Sequence, residues 1–262
     1  HRNTRRQRQM CIRDRDITNI KSIKGFQFNS KETKIGSATT WTDIINENLP
    51  SCYDMLKACA KEVGSIQIQN LGTIGGNICN ASPAADSIPC LLALDAKLEL
   101  SSANNQRIIP IDEFILGSRK TKLEQGEILT SIIIPKEKEN GSSSFRKIGA
   151  RKYLVISISM VACRILILNN IIEDISISVG SCSEVAKRIF SIERQLIKKD
   201  INEDIFNQVD FSQLNEISPI TDIRSTHVYR LKASQSLIKD VVKDAINKPV
   251  SYTHLTLPTS VP

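Results

Sequence analysis

Apolar residues in the first half of the chain recur with the spacing of short strands and short helices. Alternating apolar and polar positions predict strands at residues 16–20, 25–29, 34–37, 97–100 and 127–134. Between them, helical spacing predicts one helix after the capping residue Thr40, over residues 41–47, and another from Ser51 to about residue 62. A third, short helix should begin around Pro89 and bury Leu91, Leu92 and Leu94.

The second half of the chain carries longer β-branched runs, which are followed by helical spacing. Residues 155–168 and 171–179 are apolar runs joined by Asn169-Asn170, and because asparagine tolerates left-handed geometry they predict a tight hairpin. Helical patterns follow at residues 184–198, 203–209 and 226–246. The polar residues 136–144 contain Asn140-Gly141 and three serines, which favours a linker. We therefore predict an α+β fold that ends in an antiparallel sheet with helices on one face.

The two ends of the chain are related to each other at the level of their codons. Codons for residues 2–15 can be chosen whose reverse complement encodes residues 249–262, and the pairing stops at residues 16 and 248. The nucleotide run resembles a transposase adapter used to prepare sequencing libraries. We therefore expect residues 1–15 and 249–262 to be adapter-derived and exclude them from the fold. The competing interpretation is a basic arm that binds nucleic acid or a membrane.

This exclusion changes the charge balance. The chain has 35 Lys and Arg against 28 Asp and Glu, but residues 1–15 hold six Arg and one Asp, and residues 249–262 hold no charge. The interior keeps 29 basic and 27 acidic residues, a net charge of +2, which gives no support for a nucleic-acid partner. No apolar run reaches the roughly 18 residues of a membrane-spanning helix, so we expect no membrane span.

A glycine-rich stretch, residues 70–86, is the strongest candidate for a binding site. Its Gly75-Gly76 pair is expected to adopt positive φ and to let backbone N–H groups converge on a phosphate. Short polar side chains that can bond phosphate or ribityl oxygens surround the pair: Thr73, Asn77, Asn80 and Ser82. Asp86 is placed to accept from a sugar hydroxyl. The alternative is an ordinary turn between two strands.

The whole stretch resembles the FAD-binding signature of the flavin subunit of molybdenum hydroxylases, the xanthine dehydrogenase and carbon monoxide dehydrogenase family. Further segments match that family in the family's order, namely residues 67–70, 82–95, 107–114, 117–121, 126–129, 145–149, 222–226 and 229–230. The match covers nearly all of residues 16–247. One departure is Gln69, where the family usually has a basic residue, so a contact made there in relatives is in doubt here.

The resemblance implies the fold and the cofactor. It implies a partial FAD-binding domain of the PCMH type (vanillyl-alcohol-oxidase-like) over residues 16–138, and a flavoprotein C-terminal domain over residues 139–248. The residues it implies for FAD contact are Asn70, Gly72, Thr73, Ile74, Gly75, Gly76, Asn77, Asn80, Ser82, Asp86, Leu129 and Tyr153. Of these, Tyr153 either covers the isoalloxazine or packs as an ordinary core or surface residue. Relatives begin with a strand and a first glycine loop that would lie upstream of residue 16, so we expect residues 16–248 alone to bind FAD weakly or not at all.

The resemblance also implies an oxidoreductase subunit without catalytic residues of its own. In this family electrons pass from iron–sulfur clusters through FAD to NAD or another acceptor, and the partners are a molybdopterin-binding large subunit and a [2Fe-2S] small subunit. Two other functions stay open. One is a self-contained flavin oxidase or reductase, which would need its own substrate base, and the other is a non-catalytic assembly module.

The cysteines and the histidine outside the ends point to no metal site. The six cysteines form no C-x-x-C pair, and we expect most of them to be reduced core residues of a cytoplasmic protein; they are Cys52, Cys59, Cys79, Cys90, Cys163 and Cys182. His227 stands without partners in a helical pattern, so we interpret it as a surface residue.

Overall fold

The first of two larger sheets is built from strands far apart in the chain. The computed structural model describes residues 17, 19–151, 154–201 and 205–248. The strands up to residue 135 are β1 (Phe26–Phe28), β2 (Glu32–Gly36), β3 (Lys97–Ser101), β4 (Gln106–Pro110), β5 (Ile115–Gly117), β6 (Lys120–Thr121) and β7 (Ile128–Pro135). Five of them form an antiparallel sheet in the order β1-β2-β7-β3-β4, while β5 and β6 pair separately.

Six helices connect these strands, and the first is fixed by its cap. They are α1 (Trp41–Asn46), α2 (Asp54–Glu62), α3 (Ile66–Leu71), α4 (Ile74–Asn80), α5 (Ser87–Ala93) and α6 (Ile111–Phe114). The Thr40 hydroxyl accepts from the Asp43 N–H at 3.1 Å, and the Asp43 carboxylate accepts from the Thr40 N–H at 2.9 Å. This reciprocal pair confirms the predicted start of α1.

The second sheet is antiparallel in the order β11-β10-β9-β8. Its strands are β8 (Ser142–Ile148), β9 (Ser159–Leu168), β10 (Ile171–Gly180) and β11 (Lys187–Arg188). Asn169 and Asn170 join β9 to β10 with φ of 51° and 64°, which confirms the predicted left-handed hairpin. Two helices follow, α7 (Phe190–Leu196) and α8 (His227–Asn247), and Thr226 caps α8.

Alternate residues of β9 belong to two different apolar cores. Met160 and Ala162 join the core that contains α2, α4, α5 and the first sheet. Val161 and Cys163 join the core formed with α7 and α8. Because side chains alternate between the faces of a strand, the second sheet separates α7 and α8 from the helices of the first half.

Several predicted elements differ from the structure. Residue 17 and residues 19–20 form no strand; the other positions of the predicted strand at 16–20 lie outside the described residues. The predicted linker, residues 136–144, is wrong only at its end: residues 136–141 connect the two sheets, whereas the three serines begin β8. Their buried hydroxyls have partners, since Ser142 donates to the Ala245 carbonyl, Ser143 to the Ser51 carbonyl and Ser144 to Asp244. The helix predicted at 184–198 contains β11 and only the short α7. Where a helix was predicted at 203–209, the structure has a 3₁₀ turn at Ile205–Gln208; residues 202–204 lie outside the described residues.

Helix α5 confirms the predicted short helix, with Pro89 in its first turn and Leu91 and Leu92 buried. Leu94, at the C-terminal end of α5, is buried as well. The six cysteines at the predicted positions are free thiols, and five of them are buried; the exception is the half-buried Cys79. His227 is exposed, as predicted. Among the described residues, no helix is long and apolar enough to cross a membrane.

Candidate functional site

Helix α4 carries the diglycine, and its first N–H groups already have partners. The N–H groups of Ile74 and Gly75 donate to the carbonyls of Thr39 and Ser37 at 3.0 and 2.9 Å. The Thr73 hydroxyl caps the helix by accepting from the Gly76 N–H at 3.1 Å. These bonds fix the start of α4, and they replace the free N–H nest that the sequence predicted.

The diglycine is helical, so the predicted positive φ is wrong, and so is the alternative turn between strands. A Cβ built on Gly75 would lie 2.6 Å from both the Cβ and the carbonyl oxygen of Ser37. On Gly76 it would meet only the flexible Thr73 hydroxyl, at 3.1 Å. Gly75 is therefore needed for the close packing of α4 against the segment after β2, whereas Gly76 leaves an exposed backbone face on α4.

A cleft of about 1190 Å³ opens beside this face. It is lined by Ile17, Ser37, Thr73, Gly75, Gly76, Cys79, Asn80, Leu123, Gln125, Gly126, Glu127, Ile128 and Leu129. Pockets for small ligands measure about 300–1,000 Å³, so this one has room for a ligand of dinucleotide size. Its wall mixes bare backbone, short polar side chains and apolar side chains, which suits a ligand with both phosphate and ring portions.

The wall opposite α4 is the turn that leads from β6 into β7. Gly126 has a φ of +86°, a left-handed conformation that glycine adopts without strain. Arg107 Nε and Nη2 donate to the two carboxylate oxygens of Glu127 at 2.7 and 2.9 Å. This hydrogen bonding lowers the pKa of Glu127, so its carboxylate stays ionised and fixed as part of the wall. The Glu124 N–H adds a third bond to it, at 2.8 Å.

The structure brings five of the twelve sequence-predicted residues to the cleft: Thr73, Gly75, Gly76, Asn80 and Leu129. Six others lie outside its lining: Asn70, Gly72, Ile74, Asn77, Ser82 and Asp86. Ile74 is buried under α4, and Asn70 accepts from the Thr42 hydroxyl at 2.6 Å. Tyr153 lies outside the described residues.

Asp86 occupies a different environment from the one expected of a sugar contact. The residue is only 8% exposed, and its carboxylate accepts from Lys147 Nζ at 2.6 Å and from the Ser157 hydroxyl at 2.7 Å. Both partners belong to the second half of the chain. The carboxylate of Asp86 therefore joins the two halves in this structure, because a buried carboxylate requires such charged and polar partners.

Most of the second wall and three further lining residues had not been predicted from the sequence. The missed residues are Ile17, Ser37, Cys79, Leu123, Gln125, Gly126, Glu127 and Ile128. The resemblance had matched residues 126–129 but assigned a role only to Leu129, and that match was the available signal. Ser37 gave none, although it is 1% exposed and its hydroxyl has no hydrogen-bond partner within the described part of the chain.

Cys79 and Glu127 are the ionisable side chains in the cleft lining as described. Burial raises the pKa of the Cys79 thiol to about 11, so it is protonated at neutral pH. Because Glu127 is held by Arg107, neither group is poised to exchange a proton with a ligand. The arrangement is therefore suited to binding and orienting a ligand rather than to acid–base catalysis.

A second cavity, of about 540 Å³, lies away from α4, between the first half of the chain and the segment around β11. Its walls include Ile88, Ile111 and the half-exposed ring of Phe190. It contains none of the sequence-predicted site residues.

Two protein-family models match the chain. The FAD binding domain in molybdopterin dehydrogenase matches residues 5–137, and the CO dehydrogenase flavoprotein C-terminal domain matches residues 126–245. Together they span both sheets.

Proteins of similar sequence include FAD-binding and medium subunits of dehydrogenases. The chain is 30% identical over 234 residues to the xanthine dehydrogenase FAD-binding subunit of Escherichia coli O157:H7, covering 88% of this chain and 80% of the relative. It is 29% identical over 230 residues to the glyceraldehyde dehydrogenase medium chain of Sulfolobus acidocaldarius, covering 87% and 81%.

Solved structures share the fold. The crystal structure of cyanide-inactivated Cu,Mo-CO dehydrogenase superposes with a TM-score of 0.81 at 22% identity, over 88% of this chain and 80% of that one. Quinoline 2-oxidoreductase from Pseudomonas putida 86 gives 0.78 at 21% identity, with the same coverage. The resemblance drawn from the glycine-rich stretch is thereby confirmed, and the chain belongs to the FAD-binding medium subunits of xanthine dehydrogenase and CO dehydrogenase-type molybdenum hydroxylases.

Proposed function

We propose that this chain is an electron-transferring subunit that takes electrons from iron–sulfur clusters and passes them through FAD to NAD or another acceptor. The observation that carries the proposal is the cleft between α4 and residues 123–129, in a chain of an FAD-binding family. Bound FAD supplies the redox chemistry, while the protein contributes binding, orientation and local electrostatics.

The cleft suggests how the chain holds FAD. Thr73, Gly76 and Asn80 would contact the phosphate and ribityl portion, along the side of α4 where the backbone is bare. Leu129, whose side chain is 3% exposed at the start of β7, would contact the adenine or the ring surface. Gly75 would act by allowing α4 to approach Ser37. Asn77, Ser82 and Asp86 would support this arrangement from outside the cleft lining.

The partners follow from the same proposal. A molybdopterin-binding large subunit and a [2Fe-2S] small subunit would assemble with this chain in the cytoplasm. The division at residue 138 into an FAD-binding domain and a C-terminal domain is part of the proposal. It is supported by the two sheets, since β7 ends the first and β8 begins the second.

Protection of Cys79 from alkylation tests where FAD binds. Cys79 lines the cleft and is half-buried, whereas Cys182 is buried in the other core. Because the pKa of Cys79 is about 11, iodoacetamide should label it slowly at neutral pH and faster as the pH rises toward that value. We expect saturating FAD to slow this labelling, measured on the Cys79 peptide by mass spectrometry. Labelling that FAD does not change would place the cofactor elsewhere, and Cys182 should stay unlabelled until the protein unfolds.

Ser37 offers a test of the cleft with a matched control. Its buried hydroxyl has no hydrogen-bond partner among the residues that the structure describes, so Ser37→Ala should leave the stability of the FAD-free protein unchanged or slightly raised. If the hydroxyl turns to bond the cofactor, FAD affinity should fall about fivefold to thirtyfold, the equivalent of one charge-assisted hydrogen bond of ~1–2 kcal/mol. Ser176→Ala removes another buried, unpartnered hydroxyl, on β10, and should leave FAD affinity unchanged. Equal FAD affinity in both variants would exclude Ser37 as a contact.

A further inference from the structure

Arg230 is a fully buried arginine near the start of α8. It is 2% exposed, and its Nη1 donates to the carbonyl oxygens of Ile158 at 2.6 Å and Ser181 at 2.7 Å. Its Nη2 donates to the Asp222 carboxylate at 2.8 Å. A planar guanidinium can bond in these three directions at once, which an ammonium group on a lysine stem cannot reproduce.

The two segments that Arg230 holds lead directly to the loop of residues 81–86. The Ser181 N–H donates to the Pro83 carbonyl at 3.1 Å. Ser157, which precedes Ile158, donates its hydroxyl to Asp86 at 2.7 Å. Arg230 therefore fixes the backbone on either side of the contacts that anchor this loop to the second sheet.

The loop is in turn bonded to α4 and to the cleft. The Ala81 carbonyl accepts from the Arg119 N–H at 2.8 Å, and Arg119 Nη1 donates to the Asn80 side chain, which lines the cleft, at 2.5 Å. Ser87, just after the loop, donates to Asn77 at 2.7 Å. Displacement of the loop would consequently move two polar side chains on one side of α4, since residues three apart share a helix face.

Three residues in this series of hydrogen bonds have left-handed backbone conformations. The φ angles are 61° at Ser181, 61° at Arg119 and 46° at Ala81, values that residues other than glycine rarely adopt. Such residues persist where surrounding bonds over-determine them. At Ser181 the bonds come from Arg230 on its carbonyl and from Pro83 on its N–H.

The ion pair between Arg230 and Asp222 remains charged at neutral pH. Desolvation alone would raise the pKa of Asp222, but hydrogen bonds from the Arg224 N–H, from Arg230 and from the Ser225 N–H lower it to about 2. A folded pKa below that of the unfolded chain means that this contribution to stability is present above about pH 4 and is lost as the pH falls toward 2.

We propose that Arg230 is a positioning residue for the FAD site, acting through the loop of residues 81–86 on the Asn77 and Asn80 side of α4. The inference rests on the proposed occupation of the cleft by FAD. It assigns to the C-terminal part of the chain a role in shaping a site that lies in the N-terminal part.

The test compares Arg230→Lys with Arg164→Lys, each assembled with its partner subunits. Arg164 is equally buried, on β9, and bonds the Asn140 carbonyl and Asp174, so it makes no contact with the loop of residues 81–86. Both variants should lose stability. Only Arg230→Lys should weaken FAD binding, by between about threefold and thirtyfold, the range for residues that act on a site without touching its ligand. Amide hydrogen exchange of residues 81–86 should also be faster in Arg230→Lys alone.

Equal FAD affinities and equal exchange of residues 81–86 in the two variants would overturn the proposal. If Arg230→Lys does not fold, Asp222→Asn decides, because it keeps Arg230 and removes only the charge that orients it. We expect a smaller weakening of FAD binding in the same direction, and unchanged affinity would contradict the inference. Absence of FAD from the unsubstituted protein purified with its partner subunits would instead overturn the proposed function.

Discussion

Replacing Gly75 with alanine is expected to destabilise the protein by about 3 kcal/mol and to abolish FAD binding, because overpacking of a fixed backbone is costly. The added Cβ would lie 2.6 Å from the Cβ and the carbonyl oxygen of Ser37, neither of which is the end of a flexible side chain. Helix α4 would have to move away from Ser37, breaking the bond from the Gly75 N–H to that carbonyl. Chemical denaturation and an FAD titration of the same sample measure the two effects.

Gly76→Ala is the matched control for this substitution. Its Cβ would meet only the Thr73 hydroxyl, at 3.1 Å, and alanine is favoured over glycine in a helix by up to about 1 kcal/mol. Stability should therefore stay within about 1 kcal/mol of the unsubstituted protein, while FAD affinity falls because a methyl group fills the bare face of α4. If Gly76→Ala destabilised the protein as much as Gly75→Ala, the two glycines would not have the separate roles assigned to them.

The second large effect is expected at the buried ion pair between Lys147 and Asp86. The side chains are 5% and 10% exposed, and the bond between them is 2.6 Å long. Lys147→Met leaves the Asp86 carboxylate buried with only the Ser157 hydroxyl as a partner, so we expect a loss of about 3–5 kcal/mol of stability, the usual cost of breaking such a pair. Chemical denaturation at neutral pH measures the loss.

Two further variants test whether the loss of stability arises because the ion pair is buried. In the double variant Asp86→Leu with Lys147→Met no buried charge remains, so the loss should be clearly smaller than the sum of the single losses. Lys122→Met removes a partner from the pair with Glu113, in which the side chains are 40% and 56% exposed, and should cost under about 1 kcal/mol. Additive losses at Asp86 and Lys147 would show that the pair is not coupled.

Short sequence patterns predicted the elements whose conformation depends on residues close together in the chain. The Thr40 cap fixed the start of α1, Asn169-Asn170 marked the hairpin between β9 and β10, and apolar spacing located α8. The glycine-rich motif and its neighbours were enough to identify the family and FAD.

The conformation of the diglycine and the environment of Asp86 depend instead on contacts between residues far apart in the chain. Gly75-Gly76 has the composition of a left-handed turn, yet α4 forms there because its N–H groups bond Ser37, Thr39 and Thr73. Asp86 is of a residue type that can bond a sugar hydroxyl, but in the structure its carboxylate bonds Lys147, which is 61 residues away in the chain. A single sequence does not reveal such distant partners. For the same reason Ser37 gave no signal, and the match of residues 222–226 and 229–230 to the family did not show what Arg230 bonds.

The most direct test is an equilibrium titration of FAD into the flavin-free protein assembled with its partner subunits, followed by flavin fluorescence, with Gly76→Ala titrated alongside in the same assembly. We expect saturable binding of one FAD per chain, and weaker binding by Gly76→Ala although its stability stays within about 1 kcal/mol. Binding that does not saturate, or identical affinity in the two proteins, would contradict the claim that FAD lies against the bare face of α4.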